Sequence, residues 1–475
     1  MKRIFLTISA LAISFATFAQ SAYDALNLSQ TNPVLGTARY SAMAGAMGAL
    51  GGNVSTMKDN PAGLGIYRSF DITFTPSFSI NNDGEMDFNL NNFGLVVNFG
   101  NRNKNTKGYV TSSLGVSFNR LRNYSHYSSL AESYIHGENK FPSMTDNMGS
   151  ILTPDLIYYE AIDLGLIGED GNSLFGYDEN GNSLEFDKSW KFSESGRIYE
   201  WDFSYGMNIS NRFYWGVSIG ARSVRYTQKS MYDEACVDGS SWYLDNYYEA
   251  TGIGANFKVG AIARATDWLR IGFAFHTPTF YDMEEESNIE FDYNGKYADE
   301  PSIANDYYEY ALQTPLKLQA SLGFVIAKRA LIGVEYNFEN FKSMRLEMND
   351  MAIEEEGRVI KDEMNKNSSL KIGAEVKVID EFSLRAGFAY VGKPMQTITS
   401  DLSENIGLYI PVSVPKTSMY ITGGAGYSGE HFYCDIAYIY NNQKRDLYVS
   451  MPTDKPTLDL KYANHDIMAT FGWKF

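Results

Sequence analysis

Hydrophobic and polar residues alternate with a period of two over most of the chain from Phe70 onward. Phe70, Ile72, Phe74, Phe78 and Ile80 fall on one side, and Asp71, Thr73, Thr75, Ser77 and Ser79 on the other. This is the signature of a strand with one apolar and one polar face. The pattern returns at Phe93, Leu95, Val97 and Phe99, then at Trp201, Phe203, Tyr205, Met207 and Ile209. It returns again at Phe213, Trp215, Val217 and Ile219, at Leu316, Leu318, Ala320 and Leu322, and at Phe382, Leu384, Ala386 and Phe388. The last such run, Ile467, Ala469, Phe471, Trp473 and Phe475, ends on the final residue. Roughly fourteen strands are predicted, an even number as bacterial barrels require.

The connections alternate in length. Short turns fall at 210–212, 264–267, 327–329, 379–381 and 428–430. Long loops are predicted over 119–196, 228–245, 277–310, 340–367 and 392–415. Long loops at one end and short turns at the other predict an all-β, about 14-stranded antiparallel transmembrane β-barrel. A soluble sandwich would seldom place all its long loops at one end. The 119–196 loop is read as strand-free, with a helix-like run over 151–167.

Before the strands come two other segments. Lys2 and Arg3, the apolar run from Ile4 to Phe18, and small residues Thr17 and Ala19 predict a signal peptide over 1–19, cleaved before Gln20. Residues 20–68 are predicted to be a hatch inside the barrel formed by 69–475. Gly36, Gly45, Gly48, Gly51, Gly52, Gly63 and Gly65 crowd small residues into that segment. Ala42, Ala44, Ala46 and Ala49 suggest a short, slender helix. Asn60-Pro61-Ala62-Gly63 predicts a turn, Pro61 fixing φ and Gly63 supplying a positive one.

Composition narrows the picture. A net charge of −17 and no basic stripe argue against nucleic acid. Aromatic residues make up 15% of the chain, which suits aromatic girdles at membrane interfaces. Cys236, expected in a polar loop, and Cys434, mid-strand, lack CxxC spacing, so no metal site or redox pair follows. No cofactor is called for. His276, His431 and His465 come without a nucleophile signature such as G-x-S-x-G, so the chain is not read as an enzyme.

The residues Gly36-Thr37-Ala38-Arg39, Gly51-Gly52-Asn53 and Asn60-Pro61-Ala62-Gly63-Leu64-Gly65, followed directly by a first strand, carry a resemblance. The chain resembles the FadL/TodX-type outer-membrane transporters of long-chain fatty acids and aromatic hydrocarbons. The resemblance implies a fourteen-stranded barrel plugged by an N-terminal hatch that contains the Asn-Pro-Ala motif. It implies passive uptake of hydrophobic molecules, with exit through a gap in the barrel wall toward lipid. The hatch motif residues are Asn60, Pro61, Ala62, Gly63 and Gly65. Phe475, with Trp473 and Phe471, looks like the terminal signal read by the barrel-assembly machinery. Outer-membrane lipid and lipopolysaccharide would surround the barrel.

Alternation places Arg222, Lys258, Arg270, Lys317, Lys371 and Arg385 on the lumenal face as candidate partners for a ligand carboxylate, Arg270 and Lys317 foremost. The competing reading pairs them with lumenal acids such as Glu335, Glu375 and Asp435. The acidic 277–310 loop lacks a calcium-binding ladder and is expected to be solvated and self-repelling. Alternative functions are a general porin, a structural or adhesive surface barrel, and a haem-related receptor. The scattered histidines offer no convincing haem pair.

Overall fold

The computed structural model describes residues 18–81, 84–100, 107–134, 145, 156–295, 302–348, 351–396, 412–448 and 458–475. Residues 1–17, and with them most of the expected signal peptide, lie outside these. So do the first part of the expected helix-like run and most of the 392–415 loop.

Among the described residues eighteen strands are numbered in chain order. They are β1 (Asp71–Ile80), β2 (Met86–Gly100), β3 (Tyr109–Tyr134), β4 (Phe186–Ile209), β5 (Phe213–Cys236), β6 (Ser241–Arg264), β7 (Leu269–His276), β8 (Phe280–Asn294) and β9 (Ser302–Gln313). Then follow β10 (Lys317–Ile326), β11 (Ala330–Asn340), β12 (Arg345–Met348), β13 (Met351–Ala352), β14 (Lys366–Lys377), β15 (Phe382–Val391), β16 (Val412–Ser428), β17 (Phe432–Tyr448) and β18 (Leu458–Lys474). Fourteen of them close a barrel, every neighbour antiparallel, with β1 pairing β18 from Asp71↔Lys474 to Ile80↔His465. Closure leaves no strand edge in the belt that lipid must cover. The other four extend the wall: β8 and β9 continue it from the upper half of β6, and β12 and β13 follow β9.

Which side of a strand is apolar changes along its length. Near the short-turn end of β4 the outward residues are Trp201, Phe203 and Tyr205, and the inward ones are Glu200, Asp202 and Ser204. Further up, Trp190 and Phe192 point inward and are buried, while Ser189, Lys191 and Ser193 point outward. On β6 the outward set runs Ile253, Phe257, Val259 below and Asp245, Glu249 above, and Trp242, Leu244 and Tyr248 are the buried inward set above. The lower half therefore presents an apolar belt outward, with Phe203 54% and Ile219 58% exposed. The upper half is a water-facing sheet with an apolar interior.

Four expected loops are corrected. The 119–196 segment is not strand-free: β3 runs on to Tyr134 and β4 begins at Phe186. The 228–245 segment is the meeting of β5 and β6, so Cys236 is the last residue of a strand and buried. The acidic 277–310 segment is the β8–β9 hairpin, and one of its carboxylates, Glu285, is buried rather than solvated. The expected loop 340–367 holds β12, β13 and a helix, Glu354–Glu363.

Candidate functional site

The N-terminal segment fills the lumen. A helix, α1 (Phe18–Ser29), is followed by a loop, a short helix, α2 (Ala38–Ala42), and two 3₁₀ turns, Val54–Lys58 and Pro61–Ile66. Thr37 caps α2 by accepting from the Tyr40 N–H, and Asn53 caps the first 3₁₀ turn by accepting from Ser55. The alanine run does not continue the helix, because Ala44 (φ 50°) and Gly45 (φ 74°) turn the chain in left-handed conformations. Asn60 caps the second 3₁₀ turn by accepting from Ala62 N–H, with Pro61 at the first turn position. The expected turn there is thus a helix start. Gly63 is required for closeness, not for a positive φ. A Cβ on it would strike Thr56 and lie 3.2 Å from Gly51 Cα, and one on Gly65 would lie 2.5 Å from the Met207 carbonyl oxygen.

The wall answers with glycines of its own. Gly206, Gly216 and Gly260 stand side by side on β4, β5 and β6, and Gly323, Gly333, Gly373 and Gly387 on β10, β11, β14 and β15. A Cβ at Gly206 would lie 2.6 Å from Leu64 Cβ, and one at Gly387 2.6 Å from Ala44 N. Pro61 presses on Gly216, Asn60 on Gly260, Ala46 on Gly333 and Met43 on Gly373. The wall is therefore notched at one level to admit the plug's backbone.

Polar side chains of the wall then cap plug backbone groups that would otherwise be buried without partners. Ala38 N–H donates to Thr470 Oγ1 (2.7 Å) and Gly48 N–H to Glu335 (3.1 Å). Thr422 donates to the Ala42 carbonyl (2.9 Å) and Arg270 to the Leu50 carbonyl (2.7 Å). Arg39 of the plug forms a fork with Glu375 of β14 at 2.7 and 2.9 Å.

Five of the six lumenal cations named from the sequence meet carboxylates. Lys258, fully buried, contacts both Glu200 and Asp202, and Arg222 contacts Glu200. Lys371 pairs with Glu335 at 2.8 Å; Arg385 bridges Glu375 and Asp435, each at 2.6 Å. Lys317 lies 3.6 Å from Asp59 of the plug. The sixth, Arg270, holds the Leu50 carbonyl. Arg222 and Lys317 also border a small polar cavity of about 40 Å³ shared with plug residues Asn32, Lys58 and Asp59.

Above this layer α1 lies in an apolar chamber. Leu26 and Leu28 join Trp190, Phe192, Tyr226, Trp242, Tyr248, Met283 and Phe291 in one buried cluster. Tyr310 and Leu312 belong to it as well, whereas Tyr307 is exposed. Carboxylates surround the helix: Glu356 accepts the Ala22 N–H (3.0 Å), Glu363 the Tyr23 hydroxyl (2.7 Å) and Glu285 the Tyr248 hydroxyl (3.0 Å). Burial pushes the Glu285 carboxyl up to about 7, and burial with the neighbouring acids raises Asp24 well above the carboxylate range.

The wall is split at one seam. Among the described residues β2 and β3 pair only between Asn92↔Asn119 and Gly100↔Thr111. Above that, β2 pairs with β1 alone and β3 with β4 alone. A register shift between Arg120 and Arg122 marks the parting. Higher up, β3 reaches over the β1–β2 hairpin to β18, where the His126 and Tyr462 rings meet edge-on at 4.5 Å. A cavity of about 580 Å³ opens at the split, lined among others by Asp87, Tyr124, His126, Tyr127, Arg197 and Tyr199. Sequence reasoning missed Arg120, Arg122 and this seam; the arginine pair beside Asn119, where apolar alternation stops, was the available signal.

No protein-family model matches the chain, and no curated protein resembles it in sequence. Solved structures do resemble it. The CymD monoaromatic hydrocarbon channel aligns at TM-score 0.52 and 12% identity over 94% of this chain and 98% of its own. The Ralstonia pickettii toluene transporter TbuX gives 0.51 and 14%, over 95% and 100%. A Pseudomonas aeruginosa FadL homologue gives 0.52 and 13%, over 94% and 99%. The chain has the fold of these FadL- and TodX-type barrels.

Proposed function

We propose that the chain is a bacterial outer-membrane channel for passive uptake of hydrophobic small molecules, long-chain fatty acids or aromatic hydrocarbons, gated by its N-terminal hatch. The observation that carries this reading is the parted seam between β2 and β3, beside a cavity of about 580 Å³. A parted wall would spare a greasy molecule the crossing of an aqueous lumen. The apolar chamber around α1 supports capture from outside, and the plug supports gating rather than free flow. The proposal includes export by a signal peptide cleaved after Ala19, residence among outer-membrane lipid and lipopolysaccharide, and assembly through the terminal Phe475. That residue stands 73% exposed, with its ring 5.7 Å from Phe70. The six lumenal cations are proposed to border the route, Arg222 and Lys317 nearest an open space. The reading assigns no enzymatic step, cofactor or metal.

The test is transfer of a labelled long-chain fatty acid and of toluene into liposomes, with ion conductance recorded in parallel, for the intact protein and a variant lacking residues 36–65. Transfer with low conductance, and high conductance after the deletion, is the expected result. Free ion flow through the intact protein without transfer of either molecule would establish a porin instead.

A further inference from the structure

The upper wall ends in an open strand edge. β9 pairs with β8 along its whole length, from Phe280↔Gln313 to Phe291↔Ser302, but on its other side it meets β12 only at Gln313, Leu312 and Ala311. Among the described residues no strand or loop backbone bonds to that side over 302–310. In an antiparallel ladder successive residues turn their N–H and C=O to opposite sides. The upper part of β9 therefore offers a row of backbone donors and acceptors outward, the feature that lets a sheet take on another strand.

The chemistry around this edge is one-sided. β8 and β9 contain no lysine, arginine or histidine. Their outward face carries Asp282, Glu284, Glu286, Glu290, Asp292 and Glu309. Glu284 stands directly opposite Glu309, Glu286 opposite Glu249 of β6, and Glu290 opposite Asp245 of β6. Like charges placed opposite one another weaken a sheet. Arg225 of β5 answers Glu249 at 3.1 Å, and Lys229 lies over the Tyr247 ring. Among the described residues no cation pairs with Glu284, Glu290 or Glu309; Glu290 accepts from the Tyr243 hydroxyl and Glu309 from that of Tyr307. On the edge strand itself Ile303 and Tyr307 stand 56% and 58% exposed.

We propose that the 302–310 edge of β9 is a docking site for an extended, basic segment of another protein, which adds to the sheet as one more strand. Outward side chains of such a strand stand beside Tyr307 and Glu309 and about 9–10 Å from the β8 acids. A lysine or arginine and a glutamate cover that span together, with the cation's stem over the Tyr307 ring. A second copy of this chain is not the partner: edge on edge, it would set Glu309 and the β8 acids against their own kind. The inference stands apart from the transport reading and survives its failure.

The test is binding of a fluorescent peptide of alternating lysine and valine to the full mature protein in phosphatidylcholine liposomes. Two further peptides carry N-methyl groups, one on the lysines and one on the valines. Only one of these sets of N–H groups faces β9 in an added strand. One methylated peptide is therefore expected to lose about ten-fold or more in affinity, and the other to bind as the parent does. Glu284 and Glu309 are exposed, so Glu284→Gln with Glu309→Gln leaves the ladder intact; this double variant is expected to bind the parent peptide about three- to ten-fold more weakly. Equal binding of both methylated peptides would mean charge attraction without strand addition and would overturn the inference. So would an absence of binding, the result if outer segments of this chain cover the edge. Undiminished binding by the double variant would overturn it too, by removing the acids from the site.

Discussion

Gly333 of the wall and Ala46 of the plug touch backbone to backbone: a Cβ built on Gly333 falls on the Ala46 carbonyl oxygen. Neither group is the flexible end of a side chain, so one must move if the other grows. Gly333→Val is expected to keep the barrel closed, since its neighbours across β10 and β14, Gly323 and Gly373, leave the ladder intact. The overpacking costs about 1–3 kcal/mol and falls on plug docking. Conductance in planar bilayers should rise above that of the wild type while the folded band in gel electrophoresis persists. A wild-type conductance trace would show that this contact does not hold the plug.

Arg39 ties the plug to β14 through its fork on Glu375. Because Arg385 also holds Glu375 at 2.6 Å, Arg39→Ala leaves that carboxylate paired. The expected loss is about 1–3 kcal/mol of docking energy, not of barrel stability. Limited proteolysis should cut the 22–67 segment faster, with an unchanged melting temperature of the barrel.

Lys258 stands differently, buried between Glu200 and Asp202. Lys258→Met leaves Asp202 without its cation, whereas Glu200 keeps Arg222. Breaking a buried pair in this way costs about 3–5 kcal/mol. Lys258→Met with Asp202→Leu should regain most of it. Urea unfolding followed by tryptophan fluorescence measures both, and a single substitution as harmless as the double would contradict the pairing.

The chamber around α1 should depend on pH. Glu285 is held at about 7 in the folded state, above its unfolded value of about 4.5. In that window the folded protein keeps a proton that the unfolded chain releases, so stability falls as pH rises from about 4.5 to 7 and then levels off. Asp24, raised by the same burial, adds in the same direction. The protection of residues 22–29 against amide exchange, relative to the intrinsic rate at each pH, should fall between pH 5 and pH 8, and Glu285→Gln should flatten the change. Protection that rises with pH would refute the assignment.

The barrel was legible because Phe203, Ile219 and their like keep one phase wherever lipid faces them. The long strands above were not, because Trp190 and Phe192 put their apolar side in the opposite phase, and a search for one continuous stripe reads the change as a loop. Arg222, Lys258, Lys371 and Arg385 could be placed inward by counting. Their carboxylate partners lie one or two strands away, and that register is not written in a single segment. The Asn60–Gly65 motif was visible as unusual chemistry, but its meaning depends on glycines such as Gly206 and Gly260, far along the chain. The wall gap was hidden for the same reason: β2 and β3 both look like ordinary strands until their pairing is known.

The plug precedes β1 in the chain, and β1 is the strand that meets β18. The closing contact, Asp71 with Lys474, thus joins the first strand of the barrel to the last. Once that seam forms, the 22–67 segment lies within a closed ring of strands. The segment must therefore be inside before or while the last strand docks. Loop closure on this scale makes folding slow: the segment that comes first in the chain waits, unburied, for the last strand.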